Sequence, residues 1–222
     1  MIEATTLPLT ERTARCFANK TRDRILEASL VLFNEQSFQT VTTAAIAQQA
    51  GVLEGTLWYH FPTKKDILSS HIGLLKTIFQ DDAPSIDADN AATIVHGIFQ
   101  SYDAIWDFRY ILRDDFSVTL KNETTTFKLI QSINEYIDRW AETQVIHSNE
   151  CGVLSLPAES VENTSELILL IGRYWLNFSS KKYPDAGQAE LRKKGLTHIY
   201  NVLEPHLSME AKIIVSRLLS LS

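Results

Sequence analysis

Residues 42–68, TTAAIAQQAGVLEGTLWYHFPTKKDIL, hold two short helical patterns joined through a glycine, and this spacing constrains the fold more than any other part of the chain. Thr42 or Thr43 can cap a first helix whose Ile46, Ala47 and Ala50 share one face, and Gly51 is placed to end it. A second helix begins near Leu53 or Glu54. Val52, Leu57 and Phe61 can pack back on the first helix, leaving Thr56, Trp58, Tyr59 and His60 to face outward. Ala47 and Ala50 allow the two helices to approach closely. Gly51 allows the tight turn, and Gly55 leaves room for a sugar-phosphate chain beside the second helix.

A helix of this kind fits the major groove of DNA, while the helix before it crosses the backbone and sets the angle of approach. Thr42, Thr43, Thr56, Tyr59, His60, Lys64 and Lys65 can hydrogen-bond or neutralise phosphates, which orients a protein on DNA without specifying sequence. With Leu53, Glu54, Gly55 and Trp58 they form the candidate DNA-contact set. The expected partner is double-stranded operator DNA.

The pattern IAxxAGVxxGTLxxHFxxKxxIL, preceded by the helix RILEASLVLFNEQSF, resembles the DNA-binding domain of the TetR family of transcriptional regulators over roughly residues 21–68. Residues 98–140 are more weakly similar to the C-terminal domain of one subgroup of that family. Two positions depart from the pattern. Leu53 stands where the family usually has Ser or another capping residue, and Glu54 stands where a basic residue is frequent. The first change removes a side-chain cap; the second adds repulsion near phosphate, partly offset by its place at a helix N-terminus. Altered operator preference is expected, with binding retained. The resemblance implies an all-α fold, a three-helix head followed by a larger helical domain for ligand binding and dimerisation. It also implies that a ligand among the middle helices tilts the connecting helix near residues 64–79 and changes the separation of two heads.

A chain of 222 residues has room for such a head and a larger body. The expected boundaries are a flexible arm at 1–20, the helix-turn-helix domain at 21–66 and the helical body at 67–222. A net charge of −6 sits awkwardly with DNA binding until it is divided along the chain. Residues 1–10 carry −1, residues 11–65 carry +2 and residues 66–222 carry −7, so the cationic segment is the one expected to face DNA. Arg12, Arg15 and Lys20 of the arm could add phosphate contacts. Cys16 and Cys151 have no CxxC spacing, so neither a disulfide framework nor a cysteine-rich zinc site is supported. No run of 18 apolar residues and no signal-like start is present, and a cytoplasmic protein without cofactor or metal is expected.

Beyond the head, helical periodicity predicts a helix capped by Thr21, one opened by the T-x-x-D pattern of Thr63 and Asp66, and others at about 90–108, 110–121, 124–147, 159–182, 187–203 and 208–220. The polar stretch Asp81–Asp89, with Pro84, reads as a break. The body is rich in aromatic residues, among them Phe116. Most of these rings suit a core or a dimer interface, while Trp106, Arg109, Arg113, Tyr136, Trp140 and Trp175 are the candidate lining of a pocket for an apolar or aromatic small molecule. Arg109 and Arg113, followed by Asp114 and Asp115, can instead form an internal salt-bridge network. His71 and His96 stand alone on their helices and read as ordinary core or surface histidines.

A single recognition helix reads only a few base pairs, so a homodimer on a two-fold symmetric operator is expected, with Leu167, Leu170, Ile171, Tyr174 and Phe178 in its interface. The chain has no HExxH, Gly-rich phosphate loop or GxSxG, which argues against an enzyme. A repressor released by a ligand and a constitutive DNA binder without one remain as alternatives; the state of the ring cluster distinguishes them.

Overall fold

The computed structural model describes residues 9–81, 90–113 and 124–221, all helices and connections apart from one isolated bridge between Leu154 and Leu207. The helices are α1 (Glu11–Arg15), α2 (Thr21–Gln36), α3 (Thr43–Ala50), α4 (Glu54–His60), α5 (Lys64–Asp81), α6 (Ala91–Asp107), α7 (Arg109–Leu112), α8 (Thr124–Glu150), α9 (Val161–Lys182), α10 (Gln188–Leu203) and α11 (Met209–Leu221). An all-α fold is therefore observed. The chain forms two compact units, one of residues 1–78 and 104–133 and one of 79–103 and 134–222. The expected break at 82–89, the later part of the expected 110–121 helix, Phe116, Asp114 and Asp115 lie outside the described residues.

In the first unit, α2, α3 and α4 pack through Ile25, Leu30, Phe33, Ile46 and Leu57, all fully buried, and Phe61, Ile67 and Leu68 extend the same core. Local chemistry sets the helix ends. Thr42 accepts a hydrogen bond from the Ala45 amide at 3.1 Å and starts α3, and Gly51 ends it at φ 65°, in the left-handed region where a Cβ is penalised. Thr63 and Asp66 exchange the two bonds of a capping box at the start of α5. Thr21 does not cap α2. Lys20 occupies the cap position without a side-chain bond, and Thr21 is already helical.

The expected arm also differs. Residues 9 and 10 lead into α1, whose Thr13 is fully buried. The Thr10 amide and hydroxyl donate to Asp107 Oδ2 at 3.1 and 2.6 Å, and Arg12 donates to the Ile78 carbonyl at 3.2 Å. A buried carboxylate offers a docking point that periodicity cannot reveal, and Arg12 is thereby used inside the protein. Residues 1–8 lie outside the described residues.

Asp107 belongs to a buried polar chain. Asn34 Nδ2 donates to the Asp107 carbonyl at 2.6 Å, and the Tyr110 amide donates to Asn34 Oδ1 at 3.1 Å. The Tyr110 hydroxyl meets His71 Nδ1 at 2.7 Å, and His71 Nε2 meets the Leu26 carbonyl at 3.0 Å. A carbonyl only accepts, so Nε2 carries the proton, Nδ1 is the acceptor and Tyr110 donates to it. His71 is thus a satisfied core histidine.

In the second unit α9 and α10 pack closely. Gly195 sits where an added Cβ would come within 2.6 and 2.8 Å of the Trp175 ring and closer still to the Tyr102 hydroxyl. Trp175 Nε1 donates to the Leu191 carbonyl at 2.8 Å, which fixes the ring there. A smaller cluster of Ile94, Val95, Val153, Ala211 and Val215 ties α6 and α11 to the loop after α8, where Asn149 bonds both backbone groups of Leu156.

Two outcomes are expected. Gly195→Ala gains about 1 kcal/mol of helix propensity but loses about 1–3 kcal/mol to overpacking, so its thermal midpoint should fall. Burial pushes the His71 pKa down to about 4, opposed by its bond to Leu26, against 6.5 for the exposed ring. Between those values the unfolded chain binds a proton that the folded one does not. Stability is therefore complete above pH 6.5 and lost as pH falls toward 4, by up to about 1.4 kcal/mol per unit. Unfolding free energies from pH 7.5 to 4.5 should show this slope in the wild type and not in His71→Gln.

Candidate nucleic-acid interface

The second helix of the helix-turn-helix, α4, is seven residues long and ends at Phe61. Leu57 is its buried anchor, while Leu53 is 80% and Tyr59 83% exposed. Apolar surface left in water on a helix of seven residues is unusual unless something covers it. Trp58 is also exposed, Thr56 and His60 are half-buried, and the Tyr59 ring meets the His60 ring edge-on with centroids 5.2 Å apart. Gly55 is open, with nothing within 4 Å of a Cβ built there. As Leu53 offers no capping side chain, the first amides of α4 receive no side-chain bond at the cap.

The remaining contact candidates divide by what holds them. Thr42 is exposed and caps α3. Thr43 Oγ1 donates to Glu54 Oε1 at 2.7 Å, joining the first residue of α3 to the first residue of α4. That bond holds the acid which the sequence places nearest to phosphate. Lys65 is exposed at the start of α5. Lys64 is not: its ammonium donates to the carbonyls of Phe38 and Val41 at 2.7 and 2.8 Å and lies 4.8 Å from the centre of the Phe38 ring. Desolvation lowers its pKa. Lys64 therefore closes the turn between α2 and α3, a fastening role that its spacing in the sequence did not reveal.

Two cations that sequence reading did not single out for this purpose fasten the head. Arg24 donates to the carbonyls of Ala50 and Gly51, the exposed end of α3, where positive charge meets the negative end of the helix dipole. Arg22 bonds Ser70 at 2.9 Å and covers the Phe61 ring at 5.0 Å. Neither partner lies at helical spacing, so no local signal marks them. Gln48 and Gln49 are exposed on α3 and were also passed over.

The candidate ligand residues divide between the two units. Trp106, Arg109 and Arg113 lie in the first, with Trp106 and Arg109 buried and the guanidinium of Arg109 5.8 Å from the centre of the Trp106 ring. Tyr136, Trp140 and Trp175 lie in the second. Trp140 packs edge-on against Phe79 with centroids 5.0 Å apart. Trp175 lines, with Leu170, Ile171, Tyr174, Phe178 and His198, an open apolar groove of about 380 Å³ on α9 and α10. The structure thus brings Trp175 together with the candidate interface residues. Of these, Leu167, Leu170, Tyr174 and Phe178 are exposed. Among the described residues no cluster of three metal-ligating side chains occurs, and no helix is long and apolar enough to cross a membrane.

A capped helix, a left-handed glycine turn and a second helix with an outward apolar and hydroxyl face define a helix-turn-helix DNA-binding protein. The family model described as bacterial regulatory proteins, tetR family, matches residues 25–70, and that described as bacterial transcriptional repressor matches residues 74–213. The chain belongs to the TetR family of bacterial transcriptional regulators, which are not enzymes. It is 28% identical over 126 residues to the transcriptional repressor KstR2 of Rhodococcus jostii, covering 54% of this chain; the chain thus spans about three fifths (61%) of that curated relative's length. Its fold is similar to that of a TetR-family regulator from Marinobacter aquaeolei, with a TM-score of 0.68, 22% identity and coverage of 90% and 98% of the two chains. The structure of the SmeT–triclosan complex is also similar, with a TM-score of 0.59, 18% identity and coverage of 86% and 93%.

Tyr59→Ala and Thr56→Ala should each weaken specific binding by about 1 kcal/mol or more, whereas Lys65→Ala should weaken binding to all sequences and lower the salt dependence by about one ion per head. Lys64→Met should instead lower the thermal midpoint and leave the salt dependence nearly unchanged. Binding isotherms at several salt concentrations check all four variants.

Proposed function

We propose that this regulator is a repressor that binds a two-fold symmetric operator as a homodimer and is released from it by a small molecule. The observation that carries the reading is the coexistence of two uncovered apolar surfaces with different chemistry. The first is the face of α4, where Leu53, Trp58 and Tyr59 are interleaved with hydroxyls suited to a groove. The second is the row Leu167, Leu170, Tyr174 and Phe178 on α9, with Ile171 beside it, a mainly apolar stripe that suits a second copy of the same helix. Two heads on one symmetric body read two half-sites, which multiplies the affinity of either. A chain that reads chromosomal operators works in the cytoplasm.

Repression is supported by the name of the KstR2 relative, and a small-molecule effector by the triclosan held by SmeT. An effector releases DNA only if it binds the two conformations with different affinity, and a coupling of about 1–3 kcal/mol is usual for such proteins. Operator DNA must then weaken effector binding by the same factor.

Selection of bound duplexes from a random pool should return a palindromic site. Light scattering at micromolar concentration should give twice the chain mass, and Leu170→Asp or Tyr174→Asp should lower that mass and operator affinity together. A wild-type monomer, or a selected site without symmetry, would overturn the dimeric reading.

A further inference from the structure

Two charged side chains, Asp107 and Arg109, stand among the buried residues of the first unit, and they differ in how they are satisfied. Asp107 accepts from the Thr10 amide and hydroxyl. Arg109, 7% exposed, opens α7 with a guanidinium of five N–H donors. Among the described residues it makes one hydrogen bond, from NH1 to the Trp106 carbonyl at 3.0 Å. Its Nε is shut off from solvent without a hydrogen-bond acceptor. Asp107 and Glu35 favour its charge from a distance, and neither forms a salt bridge with it.

Burial pushes the Arg109 pKa down to about 10, with Arg113, one helical turn further on, adding repulsion. The group remains a cation at neutral pH. A buried cation with an unbonded Nε is costly for a fold to keep, and an anion bound there would complete it. A guanidinium fork matches two oxygens of a carboxylate or phosphate, and the ring of Trp106 beside it supplies apolar contact.

We propose that Arg109 is the anchor for the oxyanion head of an amphipathic organic acid, with Arg113 adding positive charge and Trp106 flanking the ligand next to its head group. The proposal rests on the effector reading above and names the chemical class of that effector. Polar, apolar and neutral molecules are then distinguishable by a single group.

Calorimetric titration of the full-length protein without DNA, using octanoate, octyl phosphate, octanol and inorganic phosphate, tests it. At least one of the two octyl anions should bind tenfold or more tightly than octanol and than inorganic phosphate, and which of them binds better identifies the head group. Arg109→Met should erase this advantage, and its thermal midpoint should not fall, because it removes an unpaired buried charge. Arg109→Lys, which keeps charge and loses the fork, should retain part of the affinity and carries the test if the Met variant does not fold. Equal binding of octanol and the octyl anions, absence of binding up to millimolar concentration, or wild-type affinity in the Lys and Met variants would overturn the proposal. Operator affinity is measured separately with the same compounds. Anion binding through Arg109 that leaves operator affinity unchanged would overturn release by this class alone, whereas release by octanol without anion selectivity would overturn the Arg109 site and leave the repressor reading intact.

Discussion

A neutral imidazole, closed off from water, holds the first unit together. His71 on α5 donates to the carbonyl of Leu26 on α2 and accepts from Tyr110 on α7, so three helices meet at one ring in one tautomer. The chain of bonds continues through Asn34 to Asp107 and from there to Thr10. Buried polar networks of this kind select one arrangement of apolar helices among the several that would bury similar area.

The head illustrates a division of labour among its cations. Arg24 and Lys64 end in backbone carbonyls, Arg22 in a serine and an aromatic ring, and these fasteners tie α2 to the end of α3, to Phe61 after α4 and to α5, and α5 to the turn before α3. Lys65 and the hydroxyls of α4 are then presented on a rigid frame. Preorganisation of this sort lowers the ordering cost of any binding at this face. Glu54, tied to Thr43, belongs to the frame as well as to the face.

The helix-turn-helix was legible because its chemistry is local: Thr42, Gly51, Thr63 and Asp66 act within four residues of their partners, and a pattern of that range is written in consecutive letters. The uncovered row of α9 was legible for the same reason, since helical period alone aligns Leu167, Leu170, Tyr174 and Phe178. The fastening bonds of Lys64 were not legible, because its acceptors, the carbonyls of Phe38 and Val41, have no side-chain signature. The docking of Thr10 on Asp107 spans 97 residues and leaves no trace in periodicity. Ring spacing likewise could not reveal that Trp106 and Trp175 belong to different units, nor that Trp175 is turned toward the groove of α9 and α10.

The close seat of Gly195 bears on how this chain can diverge. With the Trp175 ring and the Tyr102 hydroxyl both occupying the space a Cβ would need, a side chain at position 195 is admissible only when both 102 and 175 give way. Three positions on three helices are thereby bound into one inherited set. In relatives that keep this packing they should change together or remain fixed together, and a lone glycine replacement should be rare even where neighbouring residues of α10 vary freely.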